Sequence, residues 1–317
     1  MKLFVTRRMT PRAEATIRHR FDATFRDSTT PLTAVEAAAA LRDYDAVIPT
    51  LGDGFGAAAF AGEGLRARLL ANFGAGTNHI DLAAARAAGI AVTNTPDVVT
   101  DATADIALML MLMTCRRASE GERRLRAGEW TGWHPTQLLG RHLGGMTVGI
   151  VGMGRIGKAI ARRCHGGFGM DVVFFNRSHV SALDLPARQM PDLREMLAAC
   201  DIAVIAVPGG TGTRHLIGPA ELAALGPQGF LVNIARGDVV DESALIQALH
   251  EGQIAGAGLD VYEHEPHVPQ GLLDAPNATL LPHLGTAAEE VRTDMALRAL
   301  DNVTAFAAGR RPDDLVN

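Results

Sequence analysis

Residues 147–157 read Thr-Val-Gly-Ile-Val-Gly-Met-Gly-Arg-Ile-Gly: a β-favouring run, three glycines at 152, 154 and 157, and then a helical stretch. Each glycine answers a separate steric demand. Gly152 permits a tight turn out of the strand, Gly154 lets main chain approach an anion, and Gly157 lets the helix lie against the strand. The helix N-terminus then points its free N–H groups at that anion. Three glycines alone carry little weight in a chain that holds 34. The strand–turn–helix setting is what makes G-x-G-x-x-G read as a dinucleotide-binding loop rather than an ordinary βα turn. A chain built around such a unit is committed to a parallel sheet covered by helices.

The rest of the chain extends that pattern. Strands are predicted at 147–151, 172–175, 202–207, 230–234, 255–259 and 279–281, several of them continuous apolar runs of the kind buried on both faces. The first hundred residues form a second alternating series, with clearer strands at 3–6, 46–49, 69–73 and 90–93. Thr33 and Glu36 stand at capping-box spacing, Asp81 precedes a helix at 82–88, and Gly89 ends it. Residues 104–117 are apolar nearly all round, which predicts a helix buried between layers or subunits, continuing through the charged stretch 120–126. A final helix at 287–308 lies outside the second strand series and is expected to return to the first domain. With 317 residues exceeding one hydrophobic core, the prediction is α/β with two Rossmann-like or flavodoxin-like doubly wound domains, 1–100 plus 287–317 and 101–286, and a cleft between them.

Charge and composition narrow the partners. A formal net charge of −5 and the absence of a Lys/Arg run argue against nucleic acid or an anionic membrane. Cys115, Cys164 and Cys200 are odd in number and have no metal-ligand spacing, so they read as free thiols. The apolar segment 106–113 is too short to span a bilayer, and the N-terminus lacks a signal-peptide pattern, so a cytoplasmic location is expected.

Selectivity and chemistry sit further along. After the strand ending at Phe175, where an NAD-dependent protein usually offers an acid to the ribose hydroxyls, this chain has Asn176-Arg177-Ser178. Arg and small polar groups suit a 2′-phosphate, although Arg177 as a plain solvated residue is the alternative. Three downstream segments complete the pattern: Asn233-Ile234-Ala235-Arg236-Gly237-Asp238, then Gly258-Leu259-Asp260-Val261-Tyr262-Glu263-His264-Glu265-Pro266, then Leu281-Pro282-His283-Leu284-Gly285-Thr286. With the glycine loop, their order and spacing resemble the D-isomer-specific 2-hydroxyacid dehydrogenase family over essentially the whole chain. The Asn176-Arg177 pair and the 130–135 loop resemble its glyoxylate and hydroxypyruvate reductases most.

The resemblance implies reduction of a small 2-keto acid with NADP(H) preferred and NAD(H) used less efficiently. Arg236 is implied to hold the substrate, His283 to serve as general acid, and Glu265 to orient the imidazole. The residue types suit that chemistry, which needs a planar cation for a carboxylate, a ring that titrates near neutrality, and an acid that fixes its tautomer. The glycine turn Phe73-Gly74-Ala75-Gly76-Thr77-Asn78 is implied to give the backbone amides of Ala75 and Gly76 to the substrate carboxylate, a bare strand-to-helix turn being the other reading. Cofactor contacts carried over by resemblance are Gly152, Gly154, Arg155, Ile156, Gly157, Thr103, Val207, Pro208, Thr213, Ile234, Ala235, Asp260 and Gly285, beside Asn176, Arg177 and Ser178. Asp260 either accepts carboxamide protons or merely finishes a strand. Where many members carry a Leu-Thr-Pro-like stretch after Val-Pro, this chain has Gly209-Gly210-Thr211-Gly212-Thr213, which predicts a more mobile loop. Trp133 either reaches a substrate pocket, that of the neighbouring subunit of a homodimer, or anchors the interface alone. An NAD-linked D-lactate or D-3-phosphoglycerate dehydrogenase and a catalytically silent nucleotide sensor are the rival readings.

Overall fold

Short apolar runs bounded by turns become the strands of two parallel sheets. The computed structural model describes residues 1–181 and 183–317. It divides into two compact units, one of Met1–Val99 with Thr286–Asn317, the other of Thr100–Gly285.

The first unit has strands β1 (Lys2–Val5), β2 (Asp22–Phe25), β3 (Ala46–Ile48), β4 (Leu69–Ala71) and β5 (Ala91–Thr93), all parallel, in the order β2-β1-β3-β4-β5. β3 and β4 are buried at every position. β2 alternates exposed and half-buried residues on the sheet edge, and with no buried face it leaves no apolar run in the sequence. The capping box of Thr33 and Glu36 forms, Asp81 accepts from Ala84 N–H, and Gly89 follows its helix in the left-handed region. The helix Glu289–Ala307 packs on the helix Pro11–Arg20 and on β4, within this unit. Arg298 on that helix makes a two-pronged ion pair with Asp314, and Asn302 donates to the same carboxylate.

The second unit holds β6 (Thr147–Val151), β7 (Asp171–Phe175), β8 (Arg188–Met190), β9 (Ile202–Ile205), β10 (Phe230–Asn233), β11 (Gly256–Leu259) and β12 (Ala278–Leu280), all parallel. Their order, β12-β11-β10-β9-β6-β7-β8, reverses direction between β6 and β9. Such a switch point opens a crevice at the carboxyl ends of the strands. β8, an edge strand of three residues, escapes a sequence reading for the same reason as β2.

The apolar helix, Thr100–Cys115, ends earlier than its sequence suggests. Arg117 adopts a left-handed conformation, and a new helix, Ala118–Arg126, begins after it. The Cys115 carbonyl, which would have extended the first helix, accepts from Arg141 N–H at 2.8 Å. Cys115, Cys164 and Cys200 are buried and free, with thiols pushed up to about 12 by burial. Among the described residues no helix is long and apolar enough to cross a membrane.

One carboxylate in the first unit ties acid stability to its packing. Glu14 is 3% exposed and accepts from Arg8, Arg18 and the Met9 N–H. The Arg8 hydrogen bond leads the causes that pull its carboxyl from 4.5 to about 2, against burial. A carboxyl whose pKa falls on folding stabilises above its unfolded value and loses that contribution as pH drops through the folded one. Glu14→Gln is therefore expected to cost about 1–3 kcal/mol at pH 7. In urea unfolding series, the gap to the parent protein narrows below pH 4.5 and closes near pH 2.

Candidate active site

Parallel pairing in the second unit sets the carboxyl end of every strand on one edge, and the candidate residues follow those ends. Gly152 comes directly after β6 with φ +100°, and a Cβ there would meet the Ala206 carbonyl at 2.8 Å. A Cβ on Gly157 would meet the Gly152 carbonyl at 2.2 Å, so the helix Arg155–Phe168 lies as close to the turn as glycine allows. Gly154 is exposed, with nothing within 4 Å of its Cβ position. The loop is thus closed where protein packs and open where a pyrophosphate would lie, which suits a dinucleotide. Arg155 is exposed and Ile156 half-buried at the start of the helix.

Directly after β7, Asn176 ties the two loops of this edge together. Its side-chain oxygen accepts from Met153 N–H at 3.3 Å, and its amide donates to the Ser178 carbonyl and hydroxyl. Arg177 is exposed and has no side-chain partner among the described residues. After β9, Val207 is half-buried and Pro208 exposed. The glycine-rich loop expected to be mobile is closed by the Thr213 hydroxyl, which donates to the Pro208 carbonyl at 2.8 Å. Arg214 and His215 both bond Glu263.

Beyond β10, the backbone of Ile234 and Ala235 is buried, and Asn233 holds the turn by accepting from Ala235 N–H and donating to the Arg236 carbonyl. A Cβ on Gly237 would lie 1.8 Å from the Tyr262 carbonyl carbon, so only glycine lets this turn touch the loop after β11. That contact sets Arg236 beside the Glu265 loop. The Arg236 Nη1 donates to the Ala235 carbonyl at 2.6 Å, while its buried Nε has no partner among the described residues. Burial lowers its pKa, with Glu265 and Asp238 opposing.

His283 Nδ1 lies 2.8 Å from Glu265 Oε2, with the two side chains 30% and 29% exposed. Nε2 of the same ring has no partner among the described residues. The other Glu265 oxygen accepts from Tyr262 N–H at 3.1 Å, and the Tyr262 hydroxyl donates to the Leu281 carbonyl. Burial raises the Glu265 carboxyl, but His283, the Tyr262 N–H and Arg236 outweigh it, leaving the carboxyl below its ordinary value. The His283 backbone is left-handed, φ +53°, uncommon for a residue with a side chain. Asp260 supports that turn. Only 1% exposed, its carboxylate accepts from Leu284 N–H at 2.6 Å and Gly285 N–H at 2.8 Å, and its carbonyl from His283 N–H. Thr103 donates to the Gly285 carbonyl at 3.3 Å. Asp260 therefore does more than end a strand, a role its place after an apolar run does not announce.

In the first unit, the turn after β4 is held from behind. Asn72 Nδ2 donates to the Gly74 and Gly76 carbonyls, and Asn94 Nδ2 to the Ala75 carbonyl. With the carbonyls so engaged, the Ala75 and Gly76 N–H groups meet no acceptor among the described residues. Sequence reading missed both asparagines, which act here as donors of side-chain N–H to main-chain carbonyls. Trp133 is 80% exposed. A cavity of about 590 Å³ opens at the amino ends of β10 and β12, bordered by Arg117, Arg141, Pro227 and Asn277. No candidate residue lines it; the candidates of this unit follow the opposite, carboxyl ends of the strands.

Residues 108–285 match the model of the D-isomer specific 2-hydroxyacid dehydrogenase NAD-binding domain. A glyoxylate reductase of Thermococcus onnurineus is 40% identical, the match covering all of this chain and 96% of that one. Its counterpart in Pyrococcus furiosus is also 40% identical, over all of this chain and 95% of its own. Among solved structures, the TT0316 protein of Thermus thermophilus is 38% identical with a TM-score of 0.92 over the whole of both chains. An NADPH-dependent glyoxylate/hydroxypyruvate reductase of Sinorhizobium meliloti, solved with NADP and malonate, is 36% identical with a TM-score of 0.87 over 99% of this chain and 96% of that one.

The His283 turn rests on a carboxylate that accepts two N–H groups, and an amide in its place presents one oxygen and one NH2. Asp260→Asn is expected to lower stability by about 1–3 kcal/mol through the donor left unpaired. Denaturant unfolding of the variant beside the parent measures it, and equal stability would show that the two bonds carry no net weight.

Proposed function

Because the chain belongs to the D-isomer specific 2-hydroxyacid dehydrogenase family, we propose that it reduces a small 2-keto acid, glyoxylate or hydroxypyruvate, to the D-2-hydroxy acid with NADPH preferred. The observation that carries this reading is the His283–Glu265 pair beside a half-buried, incompletely partnered Arg236. The substrate class follows the names of the glyoxylate reductases that the chain resembles.

When bound, the reduced nicotinamide supplies the hydride that the carbonyl carbon accepts; Gly152, Gly154, Arg155, Ile156, Gly157, Thr103, Val207, Pro208, Thr213, Ile234, Ala235, Asp260 and Gly285 would hold the cofactor. Arg236 pairs its guanidinium with the keto acid and stabilises negative charge on the carbonyl oxygen. His283 delivers the proton to that oxygen from Nε2. Glu265 holds Nδ1, keeps the ring oriented and favours its protonated form. Its depressed pKa keeps it ionised well below neutrality. On the strength of the resemblance, Ala75 and Gly76 give backbone N–H groups to the substrate carboxylate, and Trp133 belongs to a homodimer in which it reaches the neighbouring subunit's substrate.

His283→Ala and Arg236→Ala are each expected to lower turnover by roughly 10²–10⁴ while leaving dinucleotide affinity near that of the parent. Steady-state kinetics beside calorimetric titration checks both halves, and near-normal turnover in either variant overturns the assignment. In Glu265→Gln the loss of the carboxylate disfavours the protonated ring. The alkaline limb of kcat/KM for reduction therefore moves to lower pH, and an unmoved limb counts against the pairing.

Cofactor preference is read at Arg177. A charge-assisted hydrogen bond to the 2′-phosphate is worth about 1.5–3 kcal/mol, or roughly 10- to 150-fold in affinity. NADH would lose that bond without meeting repulsion, so it remains a weaker substrate. Arg177→Ala should raise KM for NADPH far more than for NADH, and a parent enzyme equally efficient with NADH would show that the phosphate is not read here.

A further inference from the structure

Arg177 is exposed and has no side-chain partner among the described residues, in a turn whose Asn176 and Ser178 carbonyls and Val180 N–H are all held by one residue outside it. Gln189 lies on the edge strand β8, paired in register with Phe174 of β7. Its Nε2 donates to the Ser178 carbonyl at 3.0 Å and to the Asn176 carbonyl at 3.3 Å, and its Oε1 accepts from Val180 N–H at 3.0 Å. Both N–H groups and the oxygen of one amide are thereby used on three residues of one turn. Asn176 supplies a second donor to the Ser178 carbonyl at 2.9 Å. The main chain on either side of Arg177 is thus pinned between the glycine loop, through Met153 N–H and Asn176, and β8, through Gln189.

We propose that Gln189 is the positioning residue for 2′-phosphate selectivity, holding residues 176–180 so that Arg177 projects in one direction. The proposal rests on the reading of Arg177 as the phosphate ligand. A turn ordered before binding leaves only the arginine side chain to be immobilised when a phosphate arrives. A loose turn must be ordered at the expense of affinity, and only a ligand that uses Arg177 bears that loss. Among the described residues Gln189 makes no hydrogen bond to the glycine loop, so a dinucleotide without the phosphate is indifferent to it.

Gln189→Met keeps the length and bulk of the side chain and removes all three bonds. Calorimetric titration of the purified chain with NADP⁺ and NAD⁺ is expected to give an NADP⁺ Kd about 3- to 10-fold higher than the parent's, with NAD⁺ unchanged within twofold. Adenosine 2′,5′-bisphosphate should weaken like NADP⁺ and AMP should not. In an Arg177→Ala background, Gln189→Met should add nothing for NADP⁺. Equal weakening of both dinucleotides makes Gln189 a general support of the fold and overturns the proposal, as does no weakening of either. If Arg177→Ala itself leaves the NADP⁺ to NAD⁺ ratio unchanged, the phosphate reading fails and takes the proposal with it. If Arg177→Ala collapses the ratio and Gln189→Met does not, the proposal alone fails.

Discussion

Everything chemical in the larger unit depends on seven strands running the same way. Parallel pairing sends every chain crossing through the same edge, so residues far apart in sequence emerge side by side. Gly152, Asn176, Val207, Arg236, Asp260 and His283 each stand within three positions of the last residue of a strand. The alignment of main chain therefore gathers the site before any side chain interacts. The side chains then select which of these neighbours touch, as the absence of a Cβ at Gly237 brings the turn after β10 against the loop after β11.

Electrostatics at the gathered edge is decided by competition between burial and pairing. Glu265 is half enclosed, and desolvation alone would push its carboxyl up; the His283 ring, the Tyr262 N–H and Arg236 reverse the sign. For Asp260 the balance goes the other way: two N–H bonds and the nearby imidazole do not offset burial, and its carboxyl is raised. The difference is one of partners. Glu265 bonds the His283 ring with the Arg236 guanidinium nearby, whereas the closest partners of Asp260 are neutral amides. An acid that faces an imidazole can tune a proton, and an acid that faces backbone shapes a turn.

What the sequence made legible follows from how strongly each feature is overdetermined. Strands buried on both faces, such as β6, β9 and β10, appear as uninterrupted apolar runs, and their ends fall within two residues of the expected ones. The edge strands β2 and β8 have no such signature, because an exposed face tolerates Asp, Thr, Arg and Gln. The break at Arg117 was illegible for a different reason: its cause, the Arg141 N–H on the Cys115 carbonyl, arrives from more than twenty residues away. Likewise Arg236, Glu265 and His283 are named by motif, while Asn94 and Gln189 reach carbonyls 19 and 11 residues back in the chain, which no local pattern records.

The side chains that hold these turns share a chemistry. Asn72, Asn94, Asn176, Gln189 and Asn233 each use a neutral amide to hold backbone carbonyls, and three of them accept an N–H as well. A lysine or arginine in their place would be a second cation competing for an anionic ligand. A carboxylate would repel that ligand and could not donate to a carbonyl while ionised. An amide holds the turn without adding charge, so the field there is left to the backbone N–H groups and to the few ions that face outward. Asp260 departs from this pattern for a reason of its own. It is an acid used as a brace, buried away from solvent, with both carboxylate oxygens taken by the backbone N–H groups of the turn that carries His283.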